Sequence, residues 1–129
     1  MIVGLGIDLV EIARVERLVA SKGERALRRL FTDAEAAYAL GRGEPYRHLA
    51  ARVATKEATY KALAGTPEAR AIGWLEIEVV LADDGRPTLC LHGRASARAA
   101  ELGASRRWLA LSHSATTAVA AVVLERGDA

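Results

Sequence analysis

The chain holds 129 residues, 51% hydrophobic and 26% charged, with a formal net charge of +2. That balance excludes a disordered polyelectrolyte, and the length favours one domain, residues 1–129, with a modest core. No apolar run approaches the roughly 20 residues that cross a bilayer, and residues 1–6 carry no basic signal-peptide start. The single cysteine, Cys90, excludes a disulfide framework and a cysteine-based zinc site. The expectations are no membrane role, a cytoplasmic address, and Cys90 as a small buried hydrophobe in a strand.

Residues 2–7 predict a strand, with Val3, Leu5 and Ile7 on one face and Gly4, Gly6 and Asp8 on the other. The glycines leave the Asp8 face open to close approach by a ligand or a backbone. A helix follows over about 9–20, then a basic helix or turn over 24–30. Arg14, Arg17, Lys22, Arg25, Arg28 and Arg29 gather here. Such a cluster suits either an acidic partner or a solvated helical face. Small net charge, few aromatics and no reader motif argue against nucleic acid as that partner.

Thr32 or Asp33 caps a short helix ending near Gly41. Pro45 opens a long helix that reaches Leu63 and ends before Gly65 and Pro67. Residues 75–81 and 87–91 form a hairpin about Asp83-Asp84-Gly85. Residues 95–102 are helical, with Gly103 just past their end. Residues 108–112 and 117–124 are strands, and the last six residues are loose. Hairpin-linked strands with inserted helices give the α+β class: a mostly antiparallel sheet packed against one long helix and shorter helices.

The chemistry gathers on the long helix. Its apolar stripe runs through Leu49, Val53, Tyr60 and Leu63, with Lys56 in the middle and Glu57 and Lys61 on the edge. A lysine inside such a stripe needs a partner or a route to water. Glu57 and Lys61 have the order of an i,i+4 salt bridge. Asp8, followed three residues on by Glu11, resembles a helix capping box. The functional alternative brings Asp8 and Glu57 together as a hard oxygen site for Mg²⁺, with Lys61 beside a phosphate. Spacing alone favours the salt bridge and the capping box. Ser112 and His113, in Leu111-Ser112-His113-Ser114, could donate to an anion but complete no serine triad.

Three blocks in order resemble one family: GLGIDLVE at 4–11, ATKEATYKAL at 54–63 and LSHS at 111–114 followed by VVLE. Phe31-Thr32 with Glu35, Trp74 with residues 76–79, and Gly85-Arg86-Pro87 add agreement. The chain is similar along nearly its whole length to the 4′-phosphopantetheinyl transferases of the small bacterial holo-[acyl carrier protein] synthase type.

The resemblance implies transfer of 4′-phosphopantetheine from coenzyme A to a serine of apo acyl carrier protein, releasing 3′,5′-ADP, in support of fatty acid biosynthesis. It implies Mg²⁺ on Asp8 and Glu57, and Glu57 and Lys61 as catalytic residues. Coenzyme A contacts would come from Lys56, Lys61, Gly85, Arg86, Pro87, Ser112 and His113, and Arg14 would dock the carrier protein. It also implies a homotrimer with active sites between protomers, His113 serving the carboxylates of a neighbour. The rival readings are a metal-dependent phosphoester hydrolase and a nucleic-acid-binding module.

Overall fold

The computed structural model describes residues 1–127. Strand β1 (Ile2–Glu11) runs past Asp8 because it pairs antiparallel with β5 (Thr117–Arg126) out to Glu11 opposite Thr117. Asp8 therefore sits in a strand, opposite Ala120, and caps no helix. Helix α1 (Ile12–Lys22) starts only where Ile12 N–H reaches the Thr116 carbonyl at 2.9 Å, and its cap residue Glu11 makes no side-chain cap bond. The capping box that does form is Thr32 with Glu35, which opens α3 (Asp33–Leu40) after the short basic α2 (Glu24–Leu30).

Helix α4 (Pro45–Leu63) starts at the predicted proline. It is buried on most of its circumference, through Leu49, Arg52, Val53, Lys56, Ala58, Thr59, Ala62 and Leu63. Tyr60, expected in the apolar stripe, is 39% exposed. Two 3₁₀ turns, Glu68–Ala71 and Trp74–Glu76, lead into β2 (Ile77–Leu81) and β3 (Pro87–Leu91). Helix α5 (Gly93–Leu102) and β4 (Ala104–His113) follow. The class is the α+β expected, but the strands divide into two antiparallel sheets: β1-β5-β4, and the hairpin β2-β3. Glu125 and Arg126, expected loose, extend β5, while 128–129 lie outside the described residues. Among the described residues, no helix is long and apolar enough to cross a membrane.

The three-stranded sheet presses one face onto α4. Val10, Ala118, Ala120, Val122 and Leu124 are buried there. Gly4 and Gly6 belong to this face because no side chain fits: a Cβ on Gly6 would lie 1.8 Å from the Ala58 carbonyl oxygen, and one on Gly4 would lie 2.4 Å from that of Ala62. The opposite face is also apolar. Leu5, Ile7 and Leu9 are each more than 60% exposed, and Leu5 continues across the sheet through Val123 to Trp108, itself 54% exposed. A contiguous exposed apolar face of this kind marks an interaction surface.

Gly6→Ala should therefore destabilise the fold by about 1–3 kcal/mol, since strand and helix backbones must part. Denaturant unfolding reads this, and an unchanged midpoint would show that the two elements do not meet as described.

Candidate active site

The glycine contacts fix three polar side chains. Asp8 lies two residues beyond Gly6, and Glu57 and Lys61 immediately precede the α4 residues that touch the glycines. The ammonium of Lys61 donates to Asp8 Oδ1 at 3.0 Å and to the Ile7 carbonyl at 3.1 Å. The i,i+4 bridge from Lys61 to Glu57 is thus replaced by a pair across the strand–helix contact. Asp8 Oδ2 is buried without a partner. Burial, then a hydrogen bond shared with Asp8, then the Asp8 charge push the Glu57 carboxyl up to about 7. Burial also acts to raise Asp8, but hydrogen bonding to Glu57 and Lys61 holds it below its ordinary value. Two neighbouring carboxyl groups, one with an orphaned buried oxygen, form a donor set that a hard divalent cation satisfies.

Arg14 is exposed on α1, near enough to draw the Glu57 carboxyl down against these effects. Beside Glu57 opens a cleft of about 270 Å³, lined by Tyr60, Ile72, Trp74 and Ile77.

Lys56, expected at coenzyme A, has its ammonium in the interior. It donates to Glu35 Oε1 at 2.8 Å, to the Trp74 carbonyl at 2.8 Å and to the Ile77 carbonyl. Its three hydrogens are spent within the chain and the residue is 2% exposed, so it offers a ligand no charge-bearing contact. Glu35 completes the network by accepting from Thr32 N–H and Val79 N–H, each at 2.9 Å.

Gly85, Pro87, Ser112 and His113 line a second cleft, also about 270 Å³. Arg86 stands exposed on the same turn but off the cleft wall. This cleft contains none of Asp8, Glu57 and Lys61. Its α4 wall carries residues the sequence reading did not single out: Arg47, His48 and Arg52.

Arg52 is 3% exposed, yet its Nε has no hydrogen-bond partner. Its guanidinium lies 4.7 Å from the Tyr38 ring centre, with that of Arg42 4.3 Å from the same ring. Burial and the surrounding arginines pull His48 below its ordinary value. Crowded positive charge around an unpaired buried donor is a pocket for an anion. The helical arithmetic that sets Lys56 in the buried stripe also sets Arg52 there, one turn earlier, and this was the available signal.

The family profile described as the 4′-phosphopantetheinyl transferase superfamily matches residues 4–122. The chain belongs to this superfamily. It is 52% identical over 125 residues to a holo-[acyl-carrier-protein] synthase of Thermus thermophilus, covering 97% of this chain and 94% of that one. The fold agrees with the solved superfamily structures. That of the Neisseria meningitidis synthase aligns with a TM-score of 0.84 at 30% identity, covering 98% of this chain and 100% of that one. A Bacillus anthracis synthase, described as a complex with CoA (3′,5′-ADP), gives 0.77 at 34% identity over 98% of this chain and 99% of that one.

The interior role of Lys56 has its own consequence. Lys56→Met strands the Glu35 carboxylate in the core and should cost about 3–5 kcal/mol. Adding Glu35→Gln should recover part of that loss. Urea unfolding of both single variants and the double variant gives the coupling, and strict additivity would refute the pair.

Proposed function

We propose that this chain transfers the 4′-phosphopantetheine group of coenzyme A to a serine hydroxyl of an apo acyl carrier protein. The observation that carries this reading is the Asp8–Glu57–Lys61 cluster: two carboxyl groups and an ammonium forced together at the β1–α4 contact, with Asp8 Oδ2 unpartnered. The synthases of the same superfamily, including one described in complex with CoA, support the choice of substrate.

In the proposed reaction the serine oxygen forms a bond to the β-phosphorus of coenzyme A. The bond from that phosphorus to the bridging pyrophosphate oxygen breaks, and 3′,5′-ADP leaves. Asp8 and Glu57 would hold Mg²⁺, which when bound offsets pyrophosphate charge. Lys61 balances the charge that builds on the departing ADP. Glu57 is the candidate to take the serine proton. The cleft lined by Arg47, Arg52 and His113 suits the nucleotide phosphate, with Gly85 and Pro87 bordering the adenine. Arg14 and the basic residues of α1 and α2 face an acidic carrier protein.

The active molecule in this reading is a cytoplasmic homotrimer serving fatty acid biosynthesis. Two features support shared sites. The outer face of the three-stranded sheet is apolar and exposed. The nucleotide cleft is lined by none of Asp8, Glu57 and Lys61.

Incubation with coenzyme A, Mg²⁺ and an apo carrier protein should raise the carrier mass by one phosphopantetheine. Coenzyme A hydrolysis without that gain would favour a hydrolase instead. Glu57→Gln should abolish transfer with the fold intact, as should His113→Ala in the opposite half, and mixed trimers of the two should recover part of it. Verified mixed trimers without rescue would assign the whole site to one chain.

Proton counting tests the metal pair separately. With its carboxyl raised to about 7, Glu57 in the metal-free chain holds most of a proton at pH 6 and almost none well above pH 8. Mg²⁺ binding should expel it, so calorimetry in buffers of different ionisation enthalpy should show release that fades as pH rises. Release that does not change across this range would remove Glu57 as a ligand.

A further inference from the structure

The hairpin turns Ile77, Val79, Leu89 and Leu91 to the core and its other face outward. On the outer face Glu78 stands directly opposite Cys90. Strand alternation brings His92 to the same side, one position beyond the end of β3. Cys90 is free and half-buried, not the enclosed hydrophobe expected from its place in a strand. The carboxylate, thiol and imidazole donor atoms of these residues all lie within 4.8 Å of one another. His92 Nε2 is 2.9 Å from Glu78 Oε1, while Glu78 Oε2 accepts from the Thr32 hydroxyl at 2.7 Å.

We propose that Glu78, Cys90 and His92 form a second metal site, one for a borderline-soft divalent cation of the Zn²⁺ type, with water as the fourth ligand. The donor set decides the ion. A thiolate, an imidazole and a carboxylate together suit zinc or cobalt, whereas magnesium takes oxygen ligands. Metal–ligand bonds of about 2.0–2.3 Å need donors roughly 3.3–3.8 Å apart, against the 4.8 Å within which these donors already lie. The Thr32 hydroxyl supplies the outer hydrogen bond that orients a metal-bound carboxylate. The His92 side chain is 49% exposed, which leaves a path for the ion and for its water.

On binding, the Cys90 thiol gives its proton to solvent and sulfur bonds to the metal; no redox step is involved. One cysteine argues against a zinc site by sequence spacing. Here a cross-strand pair and a diagonal neighbour supply what spacing cannot show. The bound ion ties β2, β3 and the start of α3 together at the end of the hairpin away from its turn.

Cobalt is the probe. Co²⁺ added to the reduced, untagged full chain should produce a thiolate-to-cobalt charge-transfer band that saturates at one ion per chain. The band should persist in the Asp8→Asn/Glu57→Gln variant, whose altered site contains no sulfur. It should vanish in Cys90→Ser and weaken by about tenfold or more in His92→Ala. Zn²⁺ should also shield Cys90 of the unmodified chain from a thiol reagent, a measurement that needs no variant to fold. Absence of the band, equal affinity in a folded His92→Ala variant, or failure of Zn²⁺ to slow Cys90 modification would each overturn the proposal.

Discussion

The rest of the structure depends on the backbone of β1 lying against the backbone of α4. Ordinary strand–helix packing interposes side chains. Here Gly4 and Gly6 remove them, and the carbonyls of Ala62 and Ala58 fill the space. The contact closes the core and does more than close it. Asp8 follows Gly6 by two residues on the same strand face, and Glu57 and Lys61 each precede a contacting alanine. One steric condition therefore serves folding and site geometry together, and neither can be adjusted without the other.

The buried pair of Lys56 and Glu35 sets the remaining degree of freedom, the rotation of α4 about its axis. Lys56 points inward to Glu35 and two carbonyls, so Glu57, about 100° further round, faces the strand. A buried ion pair is a weak source of net stability but a strong penalty against alternatives, because any slippage leaves a desolvated charge. Thr32, which caps α3, also holds Glu35 and Glu78, so the same network reaches the hairpin.

Much of this was legible beforehand, and the misses have physical causes. Helix α4 and the hairpin came from Pro45, period and turn residues, all local signals. The close approach to the Asp8 face came from the glycine alternation, though only the structure shows that a backbone fills it. The meeting of Asp8 with Glu57 could not be read from spacing, because it depends on a contact between distant segments; the ordered family blocks pointed to it. Lys56 stands out in the sequence as a cation in an apolar stripe, but its partner, Glu35, lies on another helix and cannot be read from local pattern. Arg52 was overlooked for the same kind of reason: its meaning depends on which groups are absent around it. The α1 start was misjudged because pairing with β5 carries the strand beyond the point where local pattern suggests a helix.

The outer sheet face has one more consequence. Leu5, Ile7, Leu9 and Trp108 leave a lone chain with water against apolar surface on the very strand that carries Asp8. A chain built this way has no sharp line between folding and association. In the proposed trimer, covering that face would add stability in proportion to the logarithm of concentration. Catalytic competence in that trimer would be a collective property of the population of chains, set by how many are present as well as by how each is folded.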